Sequence, residues 1–161
     1  MLRLDQRHPE RFVPVASLID KTGMAGVIRS SGRSCSAGDN VYLGDTMGDL
    51  MMFYAAADVA FVGGSLAPRI GGHNLLEPAA LGLPLLTGPH FFNTPDIAAL
   101  MIADGAAQVV SDAEEMAACV LALLAAPPER PRRGGAAQVV AAPTAGQRGR
   151  VLAPAEPAPA A

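Results

Sequence analysis

The stretch Val59-Ala60-Phe61-Val62-Gly63-Gly64-Ser65-Leu66-Ala67-Pro68-Arg69-Ile70-Gly71-Gly72-His73-Asn74-Leu75-Leu76-Glu77-Pro78 decides the fold. Its first four residues form an apolar run of the kind that builds a buried parallel strand. Leu75, Leu76, Ala79, Ala80 and Leu81 behind it read as a short helix. Strand, glycine-rich loop and helix in that order make the corner at which open α/β sheets hold ligands, beyond the carboxyl ends of their strands. The glycine pairs Gly63-Gly64 and Gly71-Gly72 allow close backbone approach and positive φ. Unpaired N–H groups at a helix start favour a phosphate or another anion there. A purely local reading competes: Asn74 followed by Glu77 fits a capping box, with Pro78 tolerated in the first turn. The loop lacks the Gly-Lys-Ser/Thr ending of a Walker loop and the glycine spacing of a dinucleotide fingerprint.

The same rhythm extends outward on both sides. Val13–Thr22 has helical spacing and stops at Gly23, Val27-Ile28 is a short strand, and residues 30–40 form a Ser/Gly-rich loop. Val41-Tyr42-Leu43 is a strand that ends at Gly44-Asp45-Thr46-Met47-Gly48-Asp49. There Thr46 and Asp49 resemble an N-cap pair ahead of an apolar face of Leu50, Met51, Phe53, Tyr54 and Ala57. Leu83–Thr87 is a strand, and Thr94-Pro95-Asp96 starts a helix. Gln108-Val109-Val110 is a strand, and Ser111 with Glu114 opens a helix whose buried stripe is Met116, Val120, Leu123 and Leu124. Alternating strands and helices predict a doubly wound, Rossmann-like parallel sheet over residues 1–126. Residues 127–161, rich in Pro, Ala and Gly, read as a weakly ordered tail with a short helix near Ala136–Ala142 and a solvated cluster of Arg130, Arg132 and Arg133.

Composition narrows the function. The chain of 161 residues is 50% hydrophobic and 17% charged, as in a globular protein. A net charge of −3 and an aromatic share of 4% without Trp argue against nucleic acid as partner. Apolar runs break off well short of about 18 residues, so no transmembrane segment is read, and no basic start followed by an apolar signal segment is read either. Cys35 and Cys119 read as free thiols, and His8, His73 and His90 have no metal-ligand spacing.

Several motifs in one order resemble a known family. They are Arg7-His8-Pro9-Glu10-Arg11-Phe12, Leu43-Gly44-Asp45-Thr46-Met47-Gly48-Asp49-Leu50, Gly63 through Pro78, and Gly88-Pro89-His90-Phe91-Phe92-Asn93. Over about residues 6–126 they are similar to the 3-deoxy-D-manno-octulosonic acid (Kdo) transferases of lipopolysaccharide synthesis. The resemblance implies the C-terminal, donor-binding half of a GT-B glycosyltransferase, with CMP-Kdo as donor and a lipid A precursor as acceptor. It also implies that the general-base glutamate and the membrane anchor belong to an N-terminal half. The parent enzyme then works at the cytoplasmic face of the inner membrane, and the isolated chain is soluble and inactive. No metal or other cofactor is implied.

Under that resemblance the N–H groups of Gly71, Gly72, His73 and Asn74, with Gly64 and Ser65, meet the leaving phosphate, where negative charge grows during transfer. One helix end supplies only about 0.3–2 kcal/mol, so several donors must converge, and Arg7 adds a full positive charge. Glu77 accepts from the ribose hydroxyls, while Gly44, Thr46, Met47 and Gly48 line the cytidine side. Turn, cap or core roles compete for Thr46 and Met47. His90 and Asn93 have two readings, facing the sugar end or, the favoured one, loop packing, and Arg69 reads as a solvated charge. The loop from Ser65 to Gly71 is one residue longer than the family's form, which displaces donors where misplacement is costly. Asp5-Gln6 and the tail also depart from the family pattern, so the chain reads as cut short or frame-shifted at both ends. Two other readings are a non-catalytic nucleotide-binding remnant and another GT-B enzyme that uses a UDP-sugar.

Overall fold

The computed structural model describes residues 1–5 and 8–151, with residues 143–151 described by backbone alone. The chain forms two compact units, Met1–Ala57 and Asp58–Ala161, with the division inside the span that the sequence reads as one domain. The strands are parallel throughout, as the alternation of strand and helix requires, and group into two three-stranded sheets.

In the first unit β1 (Leu2–Asp5), α1 (Phe12–Lys21), β2 (Gly26–Ile28), β3 (Val41–Gly44) and α2 (Leu50–Ala55) follow one another. The sheet order is β1-β3-β2, with Leu2 opposite Val41 and Gly26 opposite the same residue. The central strand is the most apolar, as a strand covered on both faces must be. Val41 and Leu43 pack with Ile19 of α1, joined by Leu4, Val15 and Ala16. Phe53 is the buried residue of α2, and its ring tilts on that of Tyr42 with centroids 5.6 Å apart. Of the apolar face expected here, Phe53 is buried, Leu50, Tyr54 and Ala57 are half-buried, and Met51 is exposed.

The second unit contains β4 (Ala60–Val62), α3 (Leu76–Ala80), β5 (Leu85–Thr87), α4 (Pro95–Ala103), β6 (Ala107–Val109), α5 (Ala113–Ala125) and α6 (Glu129–Val151). The order is β4-β5-β6, and the middle strand is buried at every position. On one face Leu86, Val110 and Leu123 form the core with Val59, Phe61, Met116, Cys119 and Val120. The buried stripe of α5 therefore runs through Cys119 rather than the exposed Leu124. Its cap is shifted by one residue from the sequence expectation. Asp112 accepts from the Glu115 N–H at 2.8 Å, and Glu115 reaches back to the Ser111 N–H at 2.7 Å.

Within the expected weakly ordered tail of residues 127–161, Glu129–Val151 form α6, which packs on α3, α4, α5 and β5; residues 152–161 lie outside the described residues. Pro131 sits in the first turn, where its missing N–H costs nothing. Ala137 and Ala141, four residues apart, are buried. The arginines read as solvated are paired: Arg130 with Asp58 at 2.8 Å, Arg132 with Glu129 at 2.7 Å, and Arg133 with the Gln108 side chain at 2.9 Å. No helix among the described residues is long and apolar enough to cross a membrane. Both cysteines are free thiols.

Candidate functional site

The glycine-rich corner lies between β4 and α3 of the second unit and begins with a fastening. Ser65 is fully buried; its hydroxyl donates to the Val62 carbonyl at 2.7 Å and accepts the Gly88 N–H at 2.7 Å. The hydroxyl of Ser65, a residue expected among those that meet the donor, thus ties the end of β4 to the end of β5. The tip beyond it, Pro68-Arg69-Ile70, is exposed and closed by a bond from the Ile70 N–H to the Ala67 carbonyl at 3.1 Å.

Gly71 and Gly72 follow, with φ of +80° and +76° and both residues buried. Successive left-handed residues suit glycine alone, because a side chain there meets its own carbonyl. The first also yields space to a neighbour: a Cβ on Gly71 would lie 2.3–2.6 Å from ring atoms of Phe92. Among the described residues the N–H groups of Gly71, Gly72 and Asn74 have no hydrogen-bond acceptor. Buried backbone donors are nearly always paired, so such a run is what a bound anion or ordered water completes.

The segment after β5 holds this arrangement in place. The Asn93 side-chain amide donates to the carbonyls of Ile70 at 2.8 Å and Gly72 at 3.0 Å, and its N–H reaches the Gly71 carbonyl at 3.2 Å. The His90 N–H donates to the Ser65 carbonyl at 2.9 Å. Asn93 therefore has the loop-packing role expected from sequence and determines which way the Gly71 and Gly72 peptides point. Asn93→Ala should lower stability by about 1–2 kcal/mol, the loss of two neutral hydrogen bonds. Urea midpoints should show it, with faster amide exchange at residues 70–73; unchanged exchange would refute the role.

At the helix end Asn74 is the cap in substance. Its side-chain oxygen accepts the Leu76 N–H at 3.1 Å and its amide donates to Glu77 Oε1 at 3.1 Å. Regular α3 starts at Leu76, with Leu75 at its N-cap in helical conformation, so Glu77 sits one position earlier than a strict capping box requires. With only five residues, α3 contributes little dipole, which leaves the loop N–H groups as the main donors. Half-buried His73 lies beside Gly64, whose φ is +77°, and a Cβ there would come 3.1 Å from the imidazole Nε2.

The second group of expected residues belongs to the first unit, in the loop that leaves the carboxyl end of β3. Gly44 closes the strand beneath Phe53, where an added Cβ would lie 2.5 Å from the ring. Its requirement for glycine is thereby met by packing. The Thr46 hydroxyl donates to Asp49 at 2.5 Å and, among the described residues, accepts no helix N–H, since α2 starts only after Asp49. That bond, with the Arg29 guanidinium 3.2 Å away, holds the Asp49 carboxyl below its ordinary range. Met47 is 66% exposed, against a core role, and Gly48 has φ of +94°. Arg7 lies outside the described residues.

No family model matches the chain. It is 41% identical to the 3-deoxy-D-manno-octulosonic acid transferase of Haemophilus influenzae over 153 residues, 94% of this chain. To the transferase of the same name from Bordetella pertussis it is 44% identical over 154 residues. The chain spans about a third of the length of each, 36%. Among solved structures it is similar to the C-terminal CMP-Kdo binding domain of WaaA from Acinetobacter baumannii. The TM-score is 0.83 and the identity 38%, covering 86% of this chain and 72% of that one.

Proposed function

From the premise that this chain belongs to the 3-deoxy-D-manno-octulosonic acid transferase family, in the part that forms its C-terminal domain, we propose that it is the donor-binding half of a Kdo transferase. Its ligand is CMP-Kdo, and the whole enzyme passes Kdo to a lipid A precursor in lipopolysaccharide synthesis at the cytoplasmic face of the inner membrane. Acceptor activation and membrane attachment are assigned to the portion of the longer relatives that this chain does not span.

The observation that carries the reading is the pair of buried glycines, Gly71 and Gly72, whose N–H groups have no acceptor among the described residues. When the bond between Kdo and the CMP phosphate breaks, charge collects on the phosphate oxygens. Donors fixed in advance at those oxygens stabilise that charge more than the ground state. In this proposal the glycine N–H groups and Arg7 meet the phosphate, and no metal takes part. Glu77, steadied by Asn74, accepts from the ribose, and the loop from Gly44 to Gly48 receives the cytosine end.

The test is calorimetric titration of the chain with CMP and with UMP. Tighter binding of CMP is expected, and a clear preference for UMP would overturn the assignment. Glu77→Ala should fold normally and bind CMP about 10–100-fold more weakly, the loss of hydrogen bonds to a charged group. Unchanged affinity in that variant would return Glu77 to a purely capping role. Turnover should appear only when the N-terminal portion of such an enzyme is supplied.

A further inference from the structure

The loop from Gly44 to Asp49 has two carboxylates, and both turn back onto the neighbouring strand end. Asp45 accepts the Ser30 N–H at 2.8 Å through one oxygen and the Ser30 hydroxyl at 2.5 Å through the other. Asp49 accepts Arg29 Nε at 3.2 Å and the Thr46 hydroxyl at 2.5 Å through a single oxygen, Oδ2. Arg29 and Ser30 belong to the short 3-10 turn, Arg29–Ser31, that directly follows β2. Two consecutive residues thus grip the loop at its first and last carboxylate, Thr46 is bonded back to Asp49, and the two remaining residues are left to project. Those are Met47, mostly exposed, and Gly48 in left-handed conformation.

A single exposed ion pair contributes little to stability, and Arg29 and Asp49 are 40% and 28% exposed. The arrangement here is different in kind. Its bonds converge on one short loop, none is made to the apolar core, and their common effect is to fix the path of Thr46-Met47-Gly48. A glycine and an unpacked methionine would leave that path to fluctuate without such a brace.

We propose that Arg29 and Ser30 are positioning residues for the nucleotide. They act through Asp49 and Asp45 to keep the Thr46–Gly48 loop in its receiving shape without touching the ligand. This rests on the CMP-binding reading given above. The experiment uses the full chain, CMP as probe, and the variants Ser30→Ala, Ser30→Thr and Arg29→Met. Calorimetry should show CMP binding weakened about tenfold in Ser30→Ala and Arg29→Met, a change of roughly 1.4 kcal/mol. Ser30→Thr keeps the hydroxyl and should restore affinity to within about twofold, a rescue that a general loss of stability would not give. If the parent chain binds CMP and both Ser30→Ala and Arg29→Met match it, the proposal is wrong. If the parent chain does not bind CMP, the functional reading fails, and amide exchange decides the brace without any ligand. Faster exchange at residues 45–49 in Ser30→Ala but not in Ser30→Thr supports it, and unchanged exchange overturns it.

Discussion

Gly88→Ala should destabilise the second unit by about 3 kcal/mol or more and abolish CMP binding with it. Overpacking ordinarily costs about 1–3 kcal/mol, and the upper end applies where neighbours cannot move. At Gly88 the added Cβ would lie 2.3 Å from the Ser65 carbonyl oxygen, 2.4 Å from its carbon and 2.6 Å from the Leu66 nitrogen. All three are backbone atoms, so no side chain can turn aside. Relief requires the end of β5 to move away from the corner. That breaks the bond from the Gly88 N–H to the Ser65 hydroxyl and strains the one from the His90 N–H to the Ser65 carbonyl. A urea melt compared with the parent chain measures the loss, and titration of the folded fraction measures the binding. A variant with an unshifted midpoint would show that the two chain segments are not in van der Waals contact.

The second large effect is a difference of sign between adjacent residues. In an exposed helix interior, exchanging glycine for alanine gains up to about 1 kcal/mol. Gly135→Ala meets nothing within 4 Å and should show that gain. Gly134→Ala would place a Cβ 1.8 Å from the Gly82 carbonyl oxygen, just beyond α3, and should cost about 2–3 kcal/mol despite the same propensity term. Neighbouring bonds resist any withdrawal of the helix: Gln138 reaches the Ala80 carbonyl at 3.4 Å, and Arg133 holds Gln108. Midpoints that move in the same direction for both variants would refute the close seating of α6 on the end of α3.

The contrast explains why the last helix was hard to read from sequence. Pro131 and the Gly134-Gly135 pair lower helix propensity, and the favourable term, contact between α6 and α3, involves residues about fifty positions apart. The legible sign was Ala137 and Ala141, one helical turn apart, and it was weak beside the arginines and prolines around it. Strands were easier, because Val41–Leu43 and Leu85–Thr87 lie at the centres of their sheets and needed apolar residues at successive positions. Caps were legible to within one residue. Ser111-Asp112 offers two cap formers and Glu114-Glu115 two partners, and only the folded turn selects Asp112 with Glu115.

At the corner, the sequence gives the reason for unusual backbone angles but not for close packing. Gly71 reads as room for a ligand, yet the space beside it is filled by Phe92, which lies twenty-one residues later. Arg29 and Ser30 carried no signal, since a Ser/Gly-rich loop is what a turn looks like, and their partners Asp45 and Asp49 belong to another motif. The signal that would have found them is a pair of loop carboxylates in need of donors.

Because Ser65, His90 and Asn93 fasten the glycine loop to the end of β4 and to the segment after β5, its shape is complete before anything enters it. The entropy of ordering that segment is lost when the chain folds rather than when a nucleotide arrives. Encounter should therefore run at the pace of diffusion and orientation, without a slow isomerisation, and differences in affinity among ligands should be expressed in how long they stay.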